Sequence, residues 1–245
     1  MRTFKTITLL SLSFFTAAFI GCNQGTQTET SEETTVEEVV EEVTDDTTED
    51  MTPQYALLVT HQVSDFATWK AGYDAHSTMR TTAQLEDWAI DVAKDDPNLV
   101  TVVHKAGNLE AAREFINSEE LKTAAQDAGV IGEPQIAFVE MVLFNQDAAQ
   151  SSRIRGIFTH EVADFTTWKT VFDEHEEARS NAGVSIVAIG RSVDNPNIVT
   201  IAAAAVDFET LEAFAGSEEL KEGMAKAGVV GEPTISYKTV AFPEM

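Results

Sequence analysis

The alternation of apolar and polar positions between residues 54 and 146 predicts four strands and two helical regions. Apolar runs predict strands at 55–61, 85–92, 99–105 and 136–143. Helical periodicity runs from the candidate N-cap Asp65 to about Thr82. A second helical region runs from Asn108 to Ala128, with a second cap and a predicted break at Ser118, and Gly129 supplies a left-handed stop. The order βαββαβ is that of the ferredoxin-like split unit.

The same pattern recurs 99 residues further along the chain. The string HQVSDFATWK at His61 matches HEVADFTTWK at His160, and DDPNLVT at Asp95 matches DNPNIVT at Asp194. The string SEELK occurs at Ser118 and again at Ser217. An internal repeat of this length indicates two copies of one structural unit. We place the units at 54–146 and 153–245, with a polar linker at 147–152.

The predicted fold class is α+β, with two tandem βαββαβ units. Four strands with both helices on one face leave the other face of each sheet uncovered. Two such faces within one chain can be buried against each other, which avoids an exposed apolar patch the size of a sheet. We therefore expect an intramolecular pseudo-dimeric α/β barrel and a monomeric chain.

The first helix of each unit carries an unusual apolar stripe. Helical spacing puts Phe66, Trp69, Tyr73, His76 and Arg80 on one face, and in the second unit it does the same for Phe165, Trp168, Phe172, His175 and Arg179. The aromatic residues are ordinary core residues, but His and Arg are costly to bury without partners. Either they line a ligand pocket, or the Arg reaches a carboxylate, for which Asp95 or Asp194 is the candidate.

Further candidate site residues lie on the strands. His61 and His160 end the first strand of each unit, where they either bond to the backbone or pair with His76 or His175 around a polar ligand. No compact spacing of ligand residues favours a metal. The copies differ where Tyr73, Asp87, Trp88, Val92 and His104 correspond to Phe172, Ile186, Val187, Arg191 and Ala203. The first unit has more aromatic and ionisable groups, which favours it as the functional pocket, unless the differences are drift after duplication.

The N-terminal segment indicates export. Arg2 and Lys5 precede an apolar run from Ile7 to Ile20, which is long enough for a signal-peptide core but short for a membrane span. The run ends in Gly21-Cys22 and resembles the lipobox of bacterial lipoproteins, which implies cleavage after residue 21 and lipidation of Cys22. The alternatives are an ordinary signal peptide or an uncleaved anchor. Cys22 is the single cysteine, so no disulfide can form within the chain.

Charge narrows the classes of partner. Eleven acidic residues lie between Glu29 and Asp50, so we expect 22–53 to be a disordered, extended tether. The net charge of the whole chain is −25. Nucleic acid is therefore an unsuitable partner, because binding it requires a basic surface. The sequence also lacks a phosphate-binding glycine loop, a Gly-x-Ser-x-Gly elbow and a Cys-x-x-Cys pair.

Each copy resembles a unit of the dimeric α/β-barrel superfamily, in particular the antibiotic-biosynthesis-monooxygenase-like proteins. The resemblance rests on the βαββαβ order, the Asp-Phe-x-x-Trp-Lys start of the first helix, the Asp-x-Pro-Asn turn and the Ser-Glu-Glu-Leu-Lys start of the late helix. It covers nearly all of residues 54–245. In that superfamily two units usually come from two chains, so the resemblance implies that the duplication supplies both.

The functions implied by this resemblance are diverse. Such units serve oxygenation, haem chemistry, isomerisation and plain ligand binding. Cofactor-free oxygenases of the family use a polar residue on an early strand together with aromatic residues, and His61, Trp69 and Tyr73 are candidates for these roles. The family pattern has an Asn on that strand, from which His61 and His160 depart.

Three hypotheses follow. The first is an envelope-anchored lipoprotein that binds a small, partly aromatic ligand or a partner without a cofactor. The second is a cofactor-independent oxygenase in the first pocket. The third is a haem-binding protein in which His61, His76 or His104 is the axial ligand.

Overall fold

The computed structural model describes residues 53–242. The predicted signal peptide, the lipidation site at Cys22 and nearly all of the predicted tether lie outside the described residues. Within the described part of the chain, no helix is both long and apolar enough to cross a membrane.

The first unit has the predicted order of elements. Its strands are β1 (Tyr55–Val63), β2 (Leu85–Ala93), β3 (Asp96–Ala106) and β4 (Val130–Phe144). Its helices are α1 (Phe66–Ala75), α2 (Ser77–Thr82), α3 (Leu109–Ile116) and α4 (Glu119–Asp127). A short helix, α5 (Gln146–Ser151), occupies most of the predicted polar linker and packs Ala148 against Val187 and Ala204.

The second unit repeats this order. Its strands are β5 (Ile154–Val162), β6 (Ser185–Ser192), β7 (Ile198–Ala204) and β8 (Val229–Phe242). Its helices are α6 (Phe165–Glu174), α7 (Glu176–Asn181), α8 (Phe208–Ala215) and α9 (Glu218–Lys226).

Side-chain caps set most helix starts. Asp65 accepts a hydrogen bond from Thr68 N, and Ser118 accepts one from Leu121 N, as expected for N-cap residues. The break at Ser118 is thus confirmed, and so is the left-handed conformation of Gly129, whose φ is +85°. The helical region predicted to run to about Thr82 ends there, but it is divided into two helices, because His76 ends α1 and begins α2.

The mixed α+β class is confirmed, with eight strands in one antiparallel sheet. The strand order is β1-β3-β2-β8-β5-β7-β6-β4, and β4 pairs back with β1, so the strands form a closed ring. Each unit contributes four adjacent strands. The two sets of four meet edge to edge at two seams, β2 with β8 and β4 with β6, rather than by stacking two separate sheets.

The apolar cores lie between helices and strands. In the first unit, Trp69 of α1 packs against Ile90, Val100 and Val102 of the sheet. In the second unit, Trp168 of α6 packs with Ile189, Val199 and Ile201 in a larger cluster. The helices therefore cover the outer face of the ring, and the stripe on the first helix of each unit faces the sheet.

Candidate functional site

Several candidate residues line one cavity between the helices and the sheet of the first unit. This cavity, which we call the first cavity, has a volume of about 270 Å³ and lies between α1, α2 and α4 and strands β1 and β3. Its walls include six of the predicted site residues: His61, Trp69, Tyr73, His76, Arg80 and His104. The volume is near the lower end of the range for small-molecule sites.

An aromatic layer forms one wall of the first cavity. The Trp69 ring is 5.1 Å from the Tyr73 ring and 5.4 Å from the His61 imidazole, measured between ring centroids. These separations are in the range of favourable aromatic contacts. The wall therefore offers flat apolar surfaces to a ring-shaped ligand.

A carboxylate on β2 organises the polar side of the cavity. Arg80 Nε and Nη2 donate to Asp87 Oδ1 and Oδ2, both at 2.9 Å, and Tyr73 Oη donates to Oδ1 at 2.8 Å. His104 Nδ1 also lies 3.1 Å from Oδ1, but too obliquely for a well-aligned hydrogen bond. Arg80 further donates to Tyr73 O and stacks over the Tyr73 ring at 3.6 Å. These four side chains, Tyr73, Arg80, Asp87 and His104, are called the Asp87 cluster.

The charges of the Asp87 cluster follow from these contacts. Burial raises the pKa of Asp87, but its contacts with His104, Arg80 and Tyr73 lower that pKa more, so it lies well below the usual range. Burial raises the pKa of Tyr73, and the neighbouring Asp87 raises it further against the opposing effect of Arg80. At neutral pH the cluster thus contains an ionised Asp87 and a neutral Tyr73.

His76 presents a defined tautomer at the break between α1 and α2. Its Nδ1 lies 2.7 Å from Gly72 O. Because a carbonyl oxygen can only accept, Nδ1 carries the proton and the Nε2 of a neutral ring is an acceptor. The side chain of His76 lines the first cavity, and the lone pair on its Nε2 can accept a hydrogen bond, act as a base or bind a metal.

His61 is buried, and its Nε2 has no hydrogen-bond partner among the described residues. Burial lowers the pKa of His61 to about 4, so the ring is neutral at physiological pH. His61 and His76 both line the first cavity, as the alternative in which the two share a polar ligand requires. No cluster of three or more metal-binding side chains occurs in residues 53–242.

The second unit has a smaller space at the equivalent place. This second cavity has a volume of about 80 Å³, and the predicted residues His160, Trp168, His175 and Arg179 line it. His175 Nδ1 lies 2.7 Å from Val171 O, which repeats the geometry of His76. The Asp87 cluster is not repeated, because Phe172, Ile186 and Ala203 replace Tyr73, Asp87 and His104.

Two predictions need correction: the ion-pair partner of Arg80, and the place of Trp88 in the first cavity. Arg80 pairs with Asp87 and not with Asp95, and the ion-pair partner of Asp194 is Arg113, with Nη2 2.7 Å from Oδ1. Trp88 does not line the first cavity. It stacks on Phe144 at 5.2 Å, a contact between strands β2 and β4, which are not neighbours in the ring.

Asp87 is the site residue that sequence reasoning missed. In the sequence it stands out only as a position that differs between the two copies. The available signal was that Tyr73, Asp87 and His104 all change to apolar residues in the second copy, as expected for side chains that share one polar contact.

No family model and no curated protein sequence matches this chain. Among solved structures, a candidate monooxygenase from Lactobacillus acidophilus superposes with a TM-score of 0.50 at 10% identity, covering 77% of this chain and 94% of that one. A candidate chlorite dismutase superposes with a TM-score of 0.52 at 12% identity, covering 78% and 95%. A haem-binding protein from Thermus thermophilus has a TM-score of 0.49 at 9% identity, covering 77% and 91%.

At these identities the likeness is one of fold. What the chain shares with these structures is a mixed α+β fold with an eight-stranded antiparallel sheet.

Proposed function

We propose that the first cavity binds a small aromatic ligand that carries a hydroxyl or similar polar group. The observation that carries this proposal is the combination of a flat aromatic wall with the acceptor Nε2 of His76 in a cavity of about 270 Å³. Apolar walls with a few fixed polar groups are the usual composition of small-molecule sites.

The size of the cavity selects among ligands. A volume of about 270 Å³ suits one ring or two fused rings and is small for a porphyrin. Haem therefore fits this cavity less well than a smaller ring does, although His76 Nε2 has the free lone pair that an axial ligand needs. A phenol or quinol fits both the size and the chemistry, because its hydroxyl can donate to His76.

An enzymatic version of the same proposal is a cofactor-independent oxygenase. An electron-rich phenol becomes easier to oxidise once it has lost its proton, and His76 Nε2 is a base that could take that proton. Binding without turnover requires only the aromatic wall and the acceptor Nε2 of His76. Dioxygen uptake with a bound quinol separates the two functions, and a rate above that of the protein-free solution favours the enzyme.

The architecture supports a proposal about assembly. The two units repeat each other at a spacing of 99 residues, and the seams β2–β8 and β4–β6 pair equivalent positions: Ala93 with Lys238 at one, Ser192 with Val139 at the other. We infer that the chain is a tandem duplication of a ferredoxin-like unit and that its ring is the intramolecular counterpart of a dimeric barrel. We also propose that lipid on Cys22 holds this body at the bacterial cell envelope.

Tryptophan fluorescence tests ligand binding. The chain has three Trp residues, so Trp88→Phe with Trp168→Phe leaves Trp69 as a reporter in the first cavity, and Trp88→Phe with Trp69→Phe leaves Trp168 in the second. Phenols, naphthols and quinols should quench Trp69 saturably, whereas the matched hydrocarbons should bind more weakly. Equal affinity for phenols and hydrocarbons, or no saturable quenching by any of them, would contradict the proposal.

A further inference from the structure

Arg179 is a buried cation held in the same way as Arg80. Its Nη1 donates to Phe172 O at 2.6 Å, and its guanidinium lies 3.9 Å from the Phe172 ring centroid. Arg80 makes the equivalent contacts with Tyr73 O at 2.6 Å and with the Tyr73 ring at 3.6 Å. Arg80 and Arg179 are 5% and 8% exposed. The two arginines therefore have closely similar settings except for their acidic partner.

The carboxylate that neutralises Arg80 has no counterpart beside Arg179. Ile186 stands where the first unit has Asp87, and Arg179 makes no ion pair in the part of the chain that the structure describes. Burial lowers the pKa of Arg179, while the more distant Glu176 and Asp173 raise it. Asp173 is already paired with Lys169 at 2.6 Å, and Glu176 is exposed. A buried charge without a close partner is unfavourable, so an anionic partner at this position would be strongly held.

The second cavity adjoins this cation. Its volume of about 80 Å³ can hold more than one water, but its walls are mainly apolar, which disfavours filling by water alone. His160 also lines the cavity, is 6% exposed, and has no partner for either ring nitrogen among the described residues. Its ring is neutral at physiological pH, because burial lowers its pKa to about 4, so one of its nitrogens is an unused donor. The cavity thus offers a cation, an N–H group and apolar walls.

We propose that the second cavity binds a small monocarboxylate whose carboxylate pairs with Arg179 and whose short apolar body packs against Trp168 and Phe214. The ligand carboxylate supplies the charge that Asp87 supplies within the first unit. The bidentate geometry of guanidinium and carboxylate favours this class over neutral alcohols or amides. The volume of about 80 Å³ limits the apolar body to a chain of a few carbons. This inference is independent of the ligand proposed for the first cavity.

The chain provides a matched pair of variants for the test. Ile186→Asp gives the second unit the carboxylate of the first, so Arg179 should pair internally and the ligand should be excluded. Arg179→Met removes the cation but retains most of the apolar side-chain volume. Arg80→Met removes the equivalent arginine of the first unit, which does not line the second cavity, and is the control.

The experiment titrates propionate, butyrate and valerate against the full chain with Trp69→Phe and Trp88→Phe, in which Trp168 is the fluorescent reporter. Propionamide, butyramide and valeramide are the neutral probes, and inorganic phosphate is the anion without an apolar body. We expect at least one carboxylate to bind ten-fold or more tightly than its neutral analogue and than phosphate. Both Ile186→Asp and Arg179→Met should weaken it by ten-fold or more, whereas Arg80→Met should not.

Three outcomes would overturn the proposal. They are equal binding of carboxylates and neutral probes, retention of binding in folded Ile186→Asp, and no binding of any carboxylate at millimolar concentration. Circular dichroism of each variant establishes that it is folded, and Ile186→Asp keeps the test informative if Arg179→Met does not fold. A failure of phenols to bind at the Trp69 reporter would contradict the proposal for the first cavity only. It would not affect the test of carboxylate binding in the second cavity.

Discussion

Arg80 and Asp87 form a two-point ion pair, with Nε 2.9 Å from Oδ1 and Nη2 2.9 Å from Oδ2. The pair joins α2 to β2 beside the first cavity. Because Arg80 is buried, removing only one partner leaves a charge without compensation. Removing both partners leaves no such charge, so the two kinds of variant should differ sharply in stability.

Asp87→Ile should lower the free energy of unfolding by roughly 3 kcal/mol, the lower end of the range for breaking a buried ion pair, because Asp87 is partly exposed. The double variant Arg80→Met with Asp87→Ile should recover most of that loss. Urea denaturation of the wild type, both single variants and the double variant gives the coupling energy. Additive effects of the two single changes would show that the pair makes no net contribution.

His76 should matter for the ligand more than for the fold. Its one described hydrogen bond, to Gly72 O, is worth about 1 kcal/mol, so His76→Ala should cost little stability. The same change should weaken phenol binding at the Trp69 reporter at least ten-fold. His175→Ala removes the equivalent bond in the second unit and should leave phenol binding intact. A large loss of stability without loss of binding would make His76 a structural residue.

Two buried histidines should make the protein less stable as the pH falls. Burial lowers the pKa of His61 and of His160 to about 4, against about 6.5 in an unfolded chain. Between these values the unfolded state binds more protons, so each histidine contributes stability that is present above pH 6.5 and is lost toward pH 4. The expected loss is about 3 kcal/mol for each.

Urea denaturation between pH 7 and pH 4.5 measures this loss. In His160→Phe the free energy of unfolding should fall less steeply as the pH is lowered. Asp91→Asn is a control of opposite sign. Burial raises the pKa of Asp91 to about 6, although Lys238 and Arg155 lower it, so its protonation favours the folded state between about pH 4 and pH 6. Asp91→Asn should therefore steepen the loss on acidification. A slope that is unchanged in His160→Phe would mean that His160 is not buried in solution.

The predicted lipid anchor is tested by Cys22→Ser, because the serine hydroxyl cannot replace the thiol in lipidation. The full-length variant should leave the membrane fraction, and labelled fatty acid should no longer be incorporated. Wild-type chain expressed in parallel is the control. A variant that is still processed and still sediments with membranes would make the lipobox interpretation wrong.

The elements that could be predicted from the sequence are those with local signals. Asp65 and Ser118 carry their own cap hydrogen bonds, and Gly129 its own positive φ, so they needed no tertiary information. Asp87 could not be assigned in this way. Its role depends on Arg80 lying over β2, which is a relationship between two elements rather than a property of either one.

The position of the helix break was missed for a similar reason. A residue at a break can have the periodicity of a continuous helix, and His76 keeps the apolar stripe in phase across α1 and α2. The start of β4 at Val130, ahead of Pro134, was missed because Gly132 and Pro134 disfavour a strand locally, whereas pairing with β1 supplies the strand's hydrogen bonds.

The two seams of the ring are built from different side chains at equivalent positions. At the β2–β8 seam, buried Asp91 lies near Lys238, and each charge shifts the pKa of the other toward the ionised form. At the β4–β6 seam the equivalent residues are Gly190 and Val139. A Cβ atom on Gly190 would lie 3.0 Å from the Val139 Cβ, so an aspartate at this seam would force Val139 to move. Two copies of the first unit would therefore pair poorly, because Asp91 would meet Val139 at both seams.

Lys238→Val should consequently destabilise the chain by roughly 1 to 3 kcal/mol at pH 7, since it leaves a buried carboxylate with only Arg155 nearby. The loss should shrink at pH 5, where Asp91 is mostly protonated. Adding Asp91→Gly reproduces the Gly190 and Val139 arrangement and should recover stability, although the glycine adds backbone entropy to the unfolded chain. Urea denaturation at both pH values, with Lys221→Val as an exposed control, measures these differences. Equal effects of Lys238→Val at pH 5 and pH 7 would show that the seam is not specified by this charge pair.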